Sequence, residues 1–167
     1  QPTKDLNTLR RDFHEWGFCL IEDAIGDESR LFMRQRLAEQ AEAERIAEIA
    51  HFTPFFQIVW MLINKGDCFV RCIEHDPDWI QGARVVEQLL TEFLGKGWYS
   101  YSMAGNIAYP GCKPMSMHQD QGAILPIQTP EAPVLVNTMY MLQDVNAHNG
   151  DTLLIPGSHR ILSEAGG

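Results

Sequence analysis

The chain has 167 residues and a mass of 19.0 kDa, a length that fits one domain with a core of its own. Hydrophobic residues at 45% and charged residues at 21% exclude a disordered or low-complexity chain. Thirteen Lys and Arg against 22 Asp and Glu leave a net charge of −9, which argues against nucleic acid or anionic membrane as partners while leaving room for a locally basic pocket.

The first element in chain order is a helix over residues 4–16, where Leu6, Leu9, Phe13 and Trp16 recur at three- and four-residue spacing. Gly17 ends it. The stretch 18–21 reads as a short strand. Residues 27–51 read as a long polar helix, capped by Asp27 or Ser29. Its apolar stripe is thin, so much of it is expected to face water. Residues 57–64 are β-branched and aromatic and predict a strand. Lys65, in the turn after it, is placed either to reach an anionic ligand or to stand as a solvated turn lysine. Phe52, Phe55, Phe56 and Trp60 read as core or as the lining of an apolar pocket. A short helix is expected over 69–74. Asp76-Pro77-Asp78 starts another helix, with Asp76 as its cap. That helix buries Trp79, Ala83, Val86, Leu89, Leu90 and Phe93 before Gly95 and Gly97 end it.

Four β-like segments follow, at 98–109, 115–120, 133–143 and 152–155. Asn149-Gly150 is a turn signal before the last of them. Pro110-Gly111, Gln128-Thr129-Pro130 and Pro156-Gly157 also punctuate this half. The pattern divides the chain into a mostly helical part, 1–97, and a β-rich part, 98–167. Short strands joined by turns predict an α+β jelly roll with the helices packed on one sheet.

Cys19, Cys68, Cys72 and Cys112 show no CxxC pair. Free thiols in a cytoplasmic protein are the expectation, and Cys68 and Cys72 share a helical face, so a redox pair or a metal site is the other option. No run nears the roughly 20 apolar residues of a membrane span. The polar residues 1–11 do not read as a secretory leader.

The chemistry concentrates at His118-Gln119-Asp120. On a strand, i and i+2 point the same way, so the imidazole and the carboxylate project together. That is two-thirds of a facial triad of two histidines and one carboxylate for iron(II), whose open positions serve cosubstrate and oxygen.

Upstream stands Met103-Ala104-Gly105-Asn106-Ile107-Ala108-Tyr109-Pro110-Gly111, then Pro114-Met115-Ser116-Met117 before His118. Downstream come the Asn149-Gly150 turn, the apolar Thr152-Leu153-Leu154-Ile155 and Pro156-Gly157-Ser158-His159-Arg160. This series resembles the phytanoyl-CoA dioxygenase family of iron(II)- and 2-oxoglutarate-dependent oxygenases. Residues 12–18 are similar to that family's opening helix and strand. The resemblance implies a double-stranded β-helix of cupin-like type, iron held by His118 and Asp120, and O2 as second cosubstrate. It implies that Asn106 contacts 2-oxoglutarate and that Met103 is an apolar neighbour of that cosubstrate. It also implies hydroxylation of a small-molecule substrate with release of succinate and CO2. His159 is implied to hold a loop rather than iron, and His14 and His148 read as surface or loop histidines.

The family's second histidine ligand, and the arginine that pairs with the far carboxylate of 2-oxoglutarate, cannot be placed in this chain. The expectation is therefore an N-terminal piece of a longer protein, with the barrel incomplete at the C-terminus and the 167 residues inactive alone. The alternatives are a metal-binding cupin-like isomerase and a non-catalytic binding domain. Oligomeric state and substrate are not legible.

Overall fold

The computed structural model describes residues 1–120 and 133–160. Among them are four α-helices: α1 (Leu6–Trp16), α2 (Asp27–Ile46), α3 (Asp67–Ile73) and α4 (Ala83–Leu94). A three-stranded antiparallel sheet of β1 (His51–Phe52), β2 (Gln57–Val59) and β3 (Gly105–Ile107) completes an α+β arrangement. The turn expected at Gln128-Thr129-Pro130 lies outside the described residues.

Helix α1 forms as its spacing demands. Asp5 caps it, its Oδ1 accepting the Thr8 amide at 2.8 Å, and Gly17 closes it at φ +85°, where its amide donates to the Phe13 carbonyl. The apolar face docks on α4. Leu9 is fully buried with Leu89 and Phe93, and the Phe13 and Phe93 rings stack at 3.7 Å.

Helix α2 faces water along much of its length, as its thin apolar stripe predicts, but its ends differ from the expectation. It begins after Gly26 rather than at a side-chain cap and stops at Ile46, short of His51. Its thin stripe of Met33, Leu37 and Ala41 is buried at the centre of the main core, with Val59, Leu62, Phe69, Cys72 and Ile80. A narrow stripe is enough because small residues bring the helix close to the sheet. A Cβ on Gly105 would lie 2.5 Å from Leu37 Cδ1, so a side chain at position 105 would displace Leu37 from its place between α2 and β3. Gln57, with no exposed surface, ties the layers together. Its amide donates to the Ala41 carbonyl at 3.1 Å, and its carbonyl accepts from Arg45 at 2.8 Å and Tyr109 at 3.0 Å.

Several strand expectations give way. Residues 18–21 contribute one parallel bridge, Thr3 to Ile21. The strand expected over 57–64 shortens to β2, because Met61 turns to φ +54° and a single 3-10 turn follows. Of the segment 98–109, three residues pair, in β3. Residues 115–120, 133–143 and 152–155 join no ladder among the described residues. Their composition suits a sheet, but a strand exists only where a neighbour takes its N–H and C=O groups. The Asp76-Pro77 start also shifts. Asp76 caps a turn, its Oδ1 accepting the Asp78 amide at 2.9 Å, and regular helix begins at Ala83. Ala83, Val86, Leu89 and Phe93 are buried as the stripe predicts.

Candidate metal and cosubstrate site

His118 and Asp120 come together although the segment that holds them is not paired into a sheet. His118 Nε2 lies 3.2 Å from Asp120 Oδ1, and each side chain is about half exposed. The other ring nitrogen, Nδ1, lies 2.9 Å from the Ser116 carbonyl. A carbonyl only accepts, so Nδ1 is the nitrogen that donates to Ser116, and Nε2 is the one that faces the carboxylate, where either a proton or a metal must lie between the two. Asp120 Oδ2 in turn accepts a hydrogen bond from Asn137 Nδ2. The donor set therefore fits one edge of a metal site: an imidazole held through Nδ1, a carboxylate oriented by an amide, and solvent access. Two donors are one fewer than the expected triad. No cluster of three or more His, Cys, Asp or Glu side chains occurs among the described residues.

Asn106 is the central residue of β3, paired with Ile58 of β2, which pairs in turn with His51 of β1. Cross-strand partners share a face. Gln57 and Val59 are buried beneath α2, so His51, Ile58 and Asn106 form a row on the opposite, open face. Ile58, His51, Trp60, Lys65 and Glu44 are among the residues that line a cavity of about 280 Å³. Met103 is half-buried against the main core, and its carbonyl accepts the Leu62 amide at 3.0 Å. Asn106 is thus exposed across from Ile58 without itself lining the cavity, and Met103 is in packing.

Lys65 does not stand free in solvent. Its Nζ lies 3.2 Å from Glu44 Oε1, and the Glu44 side chain is 8% exposed. Gln40 also donates to Glu44, at 3.1 Å, so the buried carboxylate is compensated twice. Of the aromatic set, Trp60 lines the cavity, while Phe55 and Phe56 are half-buried. The cysteines are free thiols. Burial pushes the Cys72 thiol up to about 12 and the Cys19 thiol to about 11, so both stay protonated at neutral pH and make poor metal ligands. Cys72 spends its proton on the Cys68 carbonyl and the Met33 sulfur, each 3.3 Å away.

Sequence reasoning did not find Ser116, Asn137 or Glu44. The first acts through its backbone carbonyl, which no side-chain motif reveals. Asn137 meets Asp120 across 17 positions of sequence. Glu44 sits in a run of polar helix residues where burial has no local signature.

With this geometry in view, comparison with known proteins places the chain. Residues 13–166 match the phytanoyl-CoA dioxygenase family. The chain belongs to that family. It is also similar to Dioxygenase af480 of Aspergillus fumigatus, with 37% identity over 76 residues. That stretch covers 43% of this chain and 23% of the fungal protein. No solved structure matches. Among the described residues no helix is long and apolar enough to cross a membrane.

Proposed function

We propose that this protein is an iron(II)- and 2-oxoglutarate-dependent oxygenase that hydroxylates a small organic substrate, with succinate and CO2 as co-products. The observation that carries the reading is the His118–Asp120 edge. In a member of this family, an imidazole with Nδ1 held by Ser116 presents Nε2 within 3.2 Å of a carboxylate oxygen. His118 Nε2 and Asp120 Oδ1 would hold the metal. Bound iron supplies the coupling of 2-oxoglutarate decarboxylation to activation of O2.

The chain's own residues carry the rest. Ser116 fixes which nitrogen of His118 is free, and Asn137 fixes which oxygen of Asp120 is free. Asn106, exposed on the open face of the sheet and paired with Ile58, is proposed to donate its amide to 2-oxoglutarate. Met103 braces the chain that leads into β3. The full site needs another histidine and an arginine able to pair bidentately with a carboxylate, and the described residues bring neither to His118. A double-stranded β-helix is the architecture we propose for the whole protein, in a cytoplasmic setting.

The test is anaerobic titration with iron(II) and 2-oxoglutarate, followed by succinate release under oxygen. The expected result is that the full-length protein binds both and releases succinate, and that His118→Ala binds neither. Equal metal binding by wild type and His118→Ala would make the pair a plain surface ion pair and the protein a binding domain. Tight metal binding with no succinate would favour a cupin-like isomerase.

A further inference from the structure

The last carbonyls of α1 are not left to water. A helix ends with four carbonyls that lack a partner within the helix, and here the partners come from 140 residues away. The Trp16 carbonyl accepts the Gly157 amide at 2.8 Å. The Glu15 carbonyl accepts Arg160 Nη2 at 3.0 Å. The His14 carbonyl lies 3.2 Å from His159 Nε2, where the ring nitrogen donates. Gly17 itself takes the Phe13 carbonyl. All four groups are satisfied, three of them by the Pro-Gly-Ser-His-Arg segment. Arg160 adds a positive charge at the negative end of the helix dipole.

The fit depends on Gly17 twice over. Its φ of +85° is a left-handed conformation that other residues resist. A Cβ there would also lie 2.5 Å from His159 Nδ1. A methyl at position 17 would push the ring aside and remove the bond to His14.

The segment leading into this cap is built around the Asn149-Gly150 turn. Asn149 holds it with three bonds: its amide donates to the Asn146 carbonyl at 3.0 Å, its Nδ2 to the Asp144 carbonyl at 2.7 Å, and its Oδ1 accepts the Asn146 amide at 2.6 Å. A Cβ on Gly150 would lie 3.5 Å from the Ala108 Cβ, so this turn rests beside the end of β3, two residues after Asn106. Nothing else among the described contacts of residues 150–160 ties them to the helical layer as directly.

We propose that Gly157, His159 and Arg160 form a three-point cap on the C-terminus of α1, and that this cap positions the 146–150 turn against the end of the strand that carries Asn106. His159 and Arg160 are positioning residues that hold one half of the molecule on the other. Asn106's role in cosubstrate binding rests on the oxygenase reading, but the cap does not.

Native-state hydrogen exchange tests it without iron, cosubstrate or oxygen, so the oxygenase reading and the cap can fail separately. The probe is the Gly157 amide, referenced to the Leu89 amide in α4. His159→Ala with Arg160→Ala is expected to lower Gly157 protection about tenfold and leave Leu89 unchanged. His159→Gln, which keeps a side-chain donor, should restore most of the loss due to position 159. Gly17→Ala should lower protection as well, and adding His159→Ala to it should cost little more, because both remove the same contact. Unchanged Gly157 protection in the double alanine variant would overturn the proposal. So would fully additive effects of Gly17→Ala and His159→Ala.

Discussion

Residues 6–107 and residues 108–160 divide the work of this molecule. The first region holds all four helices, the sheet and every buried residue among those described. The second region buries none of its described residues, yet it carries His118, Asp120, Asn137 and the segment that caps α1. The contrast teaches that the fold's free energy and its chemistry are separable here. Changes in the core of the first region should act on stability, and changes at His118, Asp120 and Asn137 in the second on ligand binding.

The largest expected effect breaks the second region alone. His118→Ala or Asp120→Ala should abolish substrate-stimulated succinate formation by the full-length protein. Both side chains are half exposed, so the unfolding free energy should move by no more than about 0.5 kcal/mol. A large stability loss in either variant would show that the pair belongs to the core's energetics and would dissolve the division.

The mirror experiment is Phe69→Ala. Phe69 is 1% exposed at the centre of the main cluster, and truncating a buried aromatic leaves a cavity as well as losing its transfer free energy. Urea unfolding should show a loss of about 3–5 kcal/mol. Metal affinity of the fraction still folded should stay near wild type. A fall in both together would tie the site to the core.

A finer effect tests how Asp120 is held. Asn137→Ala removes the amide that orients Oδ2 while both proposed ligands remain. Outer partners of this kind are worth about 10–100-fold in metal affinity, so iron(II) titration should show a drop in that range with an unchanged thermal midpoint. No drop would mean that Asp120 needs no orienting partner.

How much of this was legible follows the same division. α1, α3 and the buried face of α4 could be read directly, because three- and four-residue spacing and punctuating glycines are local facts. α2's place in the core could not, since Met33, Leu37 and Ala41 gain their burial from β2, β3 and Gly105, far off in sequence. The β segments were legible as composition but not as pairing, which depends on neighbours rather than on Val, Ile or Tyr content. In the site, the i, i+2 spacing put His118 and Asp120 together, and the structure does bring them together. The Ser116 carbonyl that accepts from Nδ1 and the long-range reach of Asn137 had no signal in the motif. The Pro-Gly-Ser-His segment was legible as a mark of the family, but its contacts with α1 lie some 140 residues away in the chain.

The smallest effect concerns acid and belongs to the first region. Arg71 Nε donates to Asp76 Oδ2 at 2.6 Å, and the Asp78 amide donates to Oδ1 at 2.9 Å. The Arg71 bond first, and the Asp78 amide second, hold the Asp76 carboxyl below its usual value. A carboxyl lowered on folding contributes stability that is present above its unfolded pKa of about 3.9, and that stability disappears as pH falls through the folded value. Arg71→Gln removes the main cause and keeps the Asp78 amide. The stability difference between wild type and Arg71→Gln should therefore be constant from pH 5 to 7 and shrink below about pH 4. It should not vanish entirely, because the Arg71 guanidinium also lies 4.7 Å from the centre of the Trp79 ring, and that contact does not titrate in this range. Urea midpoints across the acid range separate the two contributions. A difference that holds its full size below pH 3 would assign Arg71's role to the Trp79 contact and remove Asp76 from the acid sensitivity of the core.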